Sequence, residues 1–247
     1  TANVDDGSCE YPDNGDYSLS LDGNDDYVRI DLSDSIAQND SYSIAFWFEL
    51  GDNQLNSTNN FLIEGNNTSS PSIEGWHDNN PNGFNFYINN GPPIYMPITE
   101  NTLYHFIGTW NVENSEVRAY LNGERIGTTI TNTGDNISSL YLGRRDGNNN
   151  FLSVEFEDLL LFSSSLGDDE AFSLYSESLD LDLYNLKGYY KFNAGIGDIL
   201  YDHSGNQNHG TIYGGSEWIC DLDECGICDG DGILEGNCDC NGSVEDA

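Results

Sequence analysis

The sequence predicts an all-β protein whose main part is an antiparallel β-sandwich, and three observations support this. Segments of strand length alternate apolar and polar residues, as strands with one buried face do. Two of these segments contain Asn-Gly or Asp-Gly, the dipeptides that favour tight hairpin turns. Polar loops rich in Asn, Gly and Ser separate the segments at short spacing, which favours a sandwich over a parallel sheet. The segments are Ser18–Ile30, Tyr42–Phe48, Glu116–Gly127 and Phe156–Phe162.

One helix is predicted near Asp168, where acidic residues precede the apolar stretch Ala171–Tyr175. Negative charge suits the first turn of a helix because the helix dipole is positive there. The later stretch Gly188–Ile212 follows the last main strand. We predict that it returns to complete the sheet of the same domain.

Length and charge exclude several classes of function. The chain has 247 residues, of which 37% are hydrophobic, enough for one substantial core. Seven basic and 43 acidic residues give a formal net charge of −36. Such a surface repels phosphate backbones and anionic lipids, so we expect no nucleic-acid partner. The sequence has no apolar run approaching the roughly 20 residues that span a bilayer, so we expect no membrane insertion.

The six cysteines lie only near the two ends of the chain, in Gly- and Asp-rich sequence. An even number in such flanks predicts disulfides formed in an oxidising, extracellular environment. Zinc is the alternative, because Cys225, Cys228, Cys238 and Cys240 could supply four thiolates. The sequence does not choose among the possible pairings, and one cysteine could pair outside this segment. The predicted disulfide cysteines are Cys9, Cys220, Cys225, Cys228, Cys238 and Cys240.

The flanks suggest a modular protein. Asn3–Cys9 resembles tandem repeats of secreted proteins from marine bacteria, and Asp223–Gly232 resembles linkers of large surface proteins. The sequence also begins within a repeat-like stretch, as we would expect of a segment from a longer protein. We therefore predict three parts: residues 1–14 as the end of an acidic Cys-containing repeat, 15–219 as the sandwich, and 220–247 as a second Cys-rich unit. This organisation implies a secreted, cell-surface protein with neighbouring domains as partners.

The body of the chain resembles a known family. Leu21–Val28 and Phe156–Phe162 match the sequence motifs of two strands of this family. The predicted strands also follow the family's order along the chain. The family is the laminin-G-like, concanavalin A-like jelly roll, and Gly188–Ile212 is similar to a segment of its pentraxin-like bacterial subgroup. The resemblance implies a sandwich that mostly serves as a binding module, although related sandwiches include glycoside hydrolases.

The resemblance also implies a structural calcium ion between the first turn and the last strand. The matching residues are Asp22, Asp25 or Asp26, and Glu157, whose longer side chain departs from the Asp more usual at that place. Clustered carboxylates and turn carbonyls provide the six to eight oxygens that Ca²⁺ prefers. The alternative is that these acids are solvated turn residues that hydrogen-bond their own backbone.

A second candidate for calcium is the loop that carries Asp202, Asn206 and Asn208. Its oxygen-bearing side chains alternate along the chain as in a calcium loop. The same composition would equally form a tight turn without a metal. The sequence leaves both interpretations open.

The sequence predicts no catalytic activity. Hydrolases of this fold carry Glu-x-Asp-x-x-Glu on one strand, so that both glutamates share a face. The stretch that starts at Glu155 has Glu157 in place of the Asp and Leu160 in place of the second Glu. The four histidines are scattered and form no catalytic motif.

Sugar binding requires an exposed aromatic ring and planar polar groups, and two loops offer them. Trp76 and His77 lie in one polar loop, and Arg144, Arg145 and Asp146 lie in another. Arginine suits carboxylates, sulfates or vicinal hydroxyls if the loops meet at one edge. The alternative is that the arginines pair with nearby acids.

Trp47 lies within an apolar strand segment, and we predict that it is part of the core. The whole pattern therefore predicts a calcium-binding extracellular recognition or adhesion module, with carbohydrate as the implied ligand. A structural spacer or a protein–protein adhesion domain is the alternative.

Overall fold

The computed structural model describes residues 11–15, 17–55, 60–65, 71–75, 83–89, 91–134, 136–145, 147, 150–220 and 228. Its strands are β1 (Ser18–Asp22), β2 (Tyr27–Ile36), β3 (Tyr42–Leu50), β4 (Asn60–Gly65), β5 (Ser72–Gly75), β6 (Phe84–Tyr87), β7 (Ile94–Met96), β8 (Leu103–Asn111), β9 (Glu116–Leu121), β10 (Glu124–Ile130), β11 (Ile137–Leu142), β12 (Ser153–Phe162), β13 (Leu186–Tyr190), β14 (Ile199–Leu200), β15 (Gly210–Tyr213) and β16 (Glu217–Ile219). One helix, α1 (Asp168–Tyr175), and a 3₁₀ turn at Leu181–Leu183 follow β12.

The strands form two antiparallel sheets within the described part of the chain. Sheet A has the order β10-β9-β8-β3-β12-β1-β16, with β13 also paired to β12. Sheet B has the order β14-β15-β2-β11-β4-β5-β6-β7. The predicted all-β sandwich is therefore confirmed.

The core lies between the two sheets because alternate residues of each strand face inward. In sheet A, Leu19 is opposite Phe156 and Leu21 is opposite Val154, and all four are buried. Close approach of the sheets requires glycine at Gly108, where a Cβ atom would overlap the ring of a buried phenylalanine of sheet B.

A smaller apolar cluster covers the outer face of one half of sheet A. Ala45, Ile107 and Leu160 belong to it, together with Ala171 of α1. The helix is anchored because the Tyr120 hydroxyl donates to Asp168 Oδ1 at 3.0 Å. The predicted helix is confirmed, and it closes this half of the outer face against solvent.

The stretch Gly188–Ile212 returns to the sandwich, but it contributes to both sheets, whereas the sequence predicted that it completes one. β13 pairs with β12 of sheet A, and β15 pairs with β2 of sheet B. No helix in the described residues is both long and apolar enough to cross a membrane.

A disulfide joins Cys220 to Cys228. Cys228 is therefore not a free thiolate, which excludes a zinc site formed by Cys225, Cys228, Cys238 and Cys240 together. Cys9, Cys225, Cys238 and Cys240 lie outside the described residues.

Candidate functional site

The turn between β1 and β2 brings three carboxylates together. Asp22, Asp25 and Asp26 each place a carboxylate oxygen within 4.8 Å of the others. Gly23 permits this turn because its φ of 79° lies in the left-handed region. Asp22 accepts hydrogen bonds from the Asn24 backbone N–H and from its side-chain amide, both at 2.7 Å.

The three carboxylates differ in environment. Asp26 is only 4% exposed, and its Oδ2 accepts the Asp22 backbone N–H at 3.0 Å. Burial, with the nearby Asp22 and Asp25 charges, raises the pKa of Asp26, whereas the bonds from Asn24 lower the pKa of Asp22. A divalent cation would relieve this repulsion, and hard carboxylate oxygens are the donors that Ca²⁺ prefers.

Glu157 does not lie with this cluster. Asp22 is opposite Ser153 on β12, and Glu157 is four residues further along that strand. At about 3.3 Å per residue the separation is roughly 13 Å. The predicted ligand set is therefore corrected: the turn acids meet, and Glu157 faces a different part of the surface.

The Asp202 loop is organised by hydrogen bonds from the backbone. Asp202 is fully buried, and its Oδ1 accepts the N–H groups of Tyr189 and Ser204 at 3.0 and 2.9 Å. Its Oδ2 accepts the Asn208 N–H at 2.9 Å.

The two asparagines of this loop are bonded in the same manner. Asn208 accepts from the Ser33 N–H and donates to the Lys187 carbonyl, both with its side chain. The Asn206 amide donates to the Leu186 carbonyl at 2.7 Å. The arrangement corresponds to the turn interpretation and does not support the predicted metal role of Asp202, Asn206 and Asn208.

Arg144 and Arg145 lie on the outer face of sheet B. The Arg145 Nε is 3.2 Å from Glu64 Oε1, a buried carboxylate. The Arg144 guanidinium stacks 4.2 Å from the centre of the Tyr27 ring, and its Nε donates to the Arg145 carbonyl. Pairing with a nearby acid therefore accounts for Arg145, while Arg144 is held on an aromatic ring.

Trp76, His77 and Asp146, the other predicted ligand-binding residues, lie outside the described residues. The structure thus gives no geometry for the predicted pocket between the two loops.

A groove that the sequence analysis missed lies on the outer face of sheet A, beside the half covered by α1. It has a volume of about 710 Å³. Its aromatic members are Trp47, Tyr17 and Tyr189, and its charged members are Asp13, Glu155, Glu157, Asp158, Glu177 and Lys191.

Trp47 lines this groove and is half-buried. On β3 the flanking Phe46 and Phe48 face the core, so Trp47 faces outward, and its predicted place in the core is wrong. The His105 ring lies 4.8 Å and the Tyr175 ring 5.6 Å from the indole. These neighbours fix the orientation of the indole at the groove wall.

Negative charges are concentrated in the groove. Glu155 lies directly opposite Glu49 on the neighbouring strand, and like charges so placed repel each other. Burial, together with the Glu49 charge, raises the pKa of Glu155. Asp158 and Glu177 both line the groove with positive φ angles, of 42° and 55°.

A bulge in β12 explains why one short segment delivers three acids to the groove. The pairing with β3 shifts register between Glu157 and Leu160. Because a bulge re-aims side chains, Asp158 joins Glu155 and Glu157 on the outer face. Leu160 instead packs under α1 and is 4% exposed.

The comparisons with known proteins agree with this architecture. A laminin-G-type family model, described as the concanavalin A-like lectin/glucanases superfamily, matches residues 22–171. The chain therefore belongs to this superfamily. None of the curated proteins compared matches the sequence.

Several solved structures are similar to this chain at low sequence identity, and the first two named here share its fold. A protein of Bacteroides ovatus ATCC 8483 to which carbohydrate binding is attributed superposes with a TM-score of 0.67 at 14% identity, covering 83% of this chain and 60% of that one. The binding domain of botulinum neurotoxin serotype D gives 0.52 at 16% identity, covering 65% of this chain and 42% of that one. A heptameric SAP-like pentraxin from Limulus polyphemus gives 0.49 at 14% identity, with 65% and 82% covered. The chain thus spans 60% of the length of the first of these proteins.

Proposed function

We propose that this chain is an extracellular carbohydrate-binding module that also binds calcium, and that sugar binds in the groove around Trp47. The observation that carries the proposal is a half-buried indole that lines a groove of about 710 Å³ together with carboxylates. An indole face stacks on the apolar face of a sugar ring, and carboxylates accept hydrogen bonds from its hydroxyl groups.

The family and fold support a binding role. The superfamily includes lectins, and one structure of similar fold carries the attribution of carbohydrate binding. The same superfamily includes glucanases, yet the position of the second catalytic glutamate is occupied by Leu160, buried under α1. The Cys220–Cys228 disulfide supports an oxidising, extracellular location.

The sugar proposal is tested by probing an array of neutral, acidic and basic polysaccharides, followed by isothermal titration calorimetry. We expect Trp47→Ala to weaken binding about tenfold, because an aromatic stacking contact contributes roughly 1.5 kcal/mol. Phe172→Ala is the matched control, since Phe172 is 58% exposed on α1 and is not among the groove-lining residues. An equal loss in both variants, or no binding by the wild-type chain, would contradict the proposal.

We propose that calcium binds at Asp22, Asp25 and Asp26. Support comes from their converging carboxylates and from the pKa of Asp26, which burial and, to a smaller extent, the Asp22 and Asp25 charges raise. In bound form the ion would neutralise this charge and rigidify the β1–β2 turn.

The calcium proposal is tested by titrating the chain with Ca²⁺ in a calorimeter. Asp25→Asn removes one charged ligand and is expected to weaken binding at least tenfold. Asp198→Asn, at an exposed position outside the cluster, is expected to leave the affinity unchanged. Equal affinity in the wild type and Asp25→Asn would contradict the proposed site.

A further inference from the structure

The charge of the groove points to the kind of sugar that it binds. Its lining combines five carboxylates with one ammonium group, that of Lys191. Glu155 and Glu157 are half-buried, so their charges are screened by water less than those on the open surface. A neutral ligand would leave this repulsion in place, and an anionic ligand would add to it.

The carboxylates are arranged for an extended ligand rather than for one metal ion. Among the described residues, the acidic groups that converge within 4.8 Å are Asp22, Asp25 and Asp26, and none of them lines the groove. The groove acids are instead spread along β12 and the adjoining loops, next to three aromatic rings. A single Ca²⁺ ion requires six to eight converging oxygens and makes no use of aromatic faces.

The rings favour an organic cation over a bare ion. Trp47, Tyr17 and Tyr189 line the same space, and the Lys191 ammonium already lies 5.7 Å from the centre of the Tyr189 ring. Aromatic faces attract ammonium groups, most strongly when water is partly excluded. This contact inside the chain shows that the Tyr189 ring of the groove accepts an ammonium group.

A buried side chain in contact with Trp47, outside the groove lining, holds a polar atom with an unmet hydrogen bond. His105 is 2% exposed, and its Nδ1 has no partner among the described residues. Burial lowers the pKa of His105 to about 4, so the ring is neutral at ordinary pH and does not offset the negative charge.

We infer that the groove selects glycans built from amino sugars with free, positively charged amino groups. Each sugar ring would stack on an aromatic face while its ammonium group pairs with a groove carboxylate. This inference rests on the proposed carbohydrate-binding function and adds the chemical class of the sugar. Glu155, Glu157 and Asp158 lie on β12 and Glu177 follows α1, so a ligand with several ammonium groups would contact more than one groove carboxylate.

The test compares two tetramers with the same sugar backbone, one with free amino groups and the other with N-acetyl groups. The full chain is titrated with a tetramer of β-1,4-linked glucosamine and with its fully N-acetylated, neutral counterpart. The titration is made at about pH 6, where amines are largely protonated and free carboxylic acids are ionised. We expect the glucosamine tetramer to bind at least tenfold more tightly, and the preference to shrink as salt rises.

Two matched double variants separate the groove from the general acidity of the surface. Glu155→Gln with Glu157→Gln is expected to reduce the preference below about threefold. Glu113→Gln with Glu124→Gln removes the same charge at exposed positions outside the groove lining, and is expected to keep the preference. Equal loss in both double variants would show long-range attraction only and would overturn the inference.

The remaining outcomes distinguish this inference from the proposed function. Equal binding of both tetramers, abolished by Trp47→Ala, would refute selection by charge and leave a sugar-binding groove. Binding of neither tetramer, with no binding on the polysaccharide array, would refute both. Tetralysine is the third ligand: if it binds as tightly as the glucosamine tetramer, irrespective of Trp47→Ala, the groove recognises a basic peptide and the inference is wrong.

Discussion

Replacing Asp202 by alanine removes the carboxylate that accepts hydrogen bonds from three backbone N–H groups, those of Tyr189, Ser204 and Asn208. Asp202 is fully buried, so water does not readily replace the carboxylate. A hydrogen bond to a charged group contributes about 1.5–3 kcal/mol. Three bonds at the lower end of this range give an expected loss of about 4 kcal/mol in the free energy of unfolding.

The loss is measured by urea denaturation and by calorimetry, both in calcium and in a chelator. For a domain of roughly 200 residues, about 4 kcal/mol lowers the Tm by about 8–16 °C. Asp202→Asn retains one acceptor oxygen but turns an amide N–H₂ toward a backbone donor, so we expect about half the loss. Asp198→Asn, at an exposed position nearby, is expected to change stability by less than about 0.5 kcal/mol.

Two results would refute this account of Asp202. A loss below about 1 kcal/mol in the alanine variant would show that the three hydrogen bonds contribute little. A loss seen only in calcium, and absent in the chelator, would show that Asp202 acts as a metal ligand.

Three further predictions follow from the described contacts. Gly108→Ala should lower the free energy of unfolding by about 1–3 kcal/mol, because its Cβ would overlap the Phe86 ring. Phe86→Leu in the same chain should recover part of this loss in an unfolding titration. An unchanged free energy of unfolding would mean that the sheets separate freely. Burial lowers the pKa of His105 to about 4, from about 6.5 in the unfolded chain. The neutral ring therefore contributes up to about 3 kcal/mol to the free energy of unfolding above pH 6.5, and this contribution is lost as the pH falls toward 4. His105→Gln should flatten that part of the stability–pH curve, and an unchanged slope would contradict the assignment. Glu49→Gln should stabilise the fold by about 0.5 kcal/mol at pH 7, since it relieves repulsion with Glu155, and the gain should disappear in acid, where both groups are protonated.

The sequence predicted the fold because the relevant signals are local. Alternation in Ser18–Ile30 and the acidic start of α1 report which residues face the core and where a helix begins. The three-carboxylate cluster was also within reach, since Asp22, Asp25 and Asp26 occupy a single turn.

The groove is harder to predict from the sequence than the fold, although one residue indicates that Trp47 faces solvent. The stretch Tyr42–Phe48 reads as continuously apolar, which suggested that Trp47 was buried. Glu49 lies two residues after Trp47, so both side chains are on the same face of the strand, and a glutamate there indicates that this face is exposed to solvent. Hydrophobicity alone predicts a buried tryptophan at this position, whereas the strand register places it on the outer face.

The sequence by itself determined the all-β class, the helix near Asp168 and the acidic turn, because each depends on residues close together in the chain. Only the tertiary structure decided that Glu157 joins Trp47 and not Asp22, and that Asp202 organises backbone N–H groups. Strand register and the bulge in β12 set these contacts between distant residues. Because one residue of register moves a side chain to the opposite face, sequence spacing alone cannot place the groove.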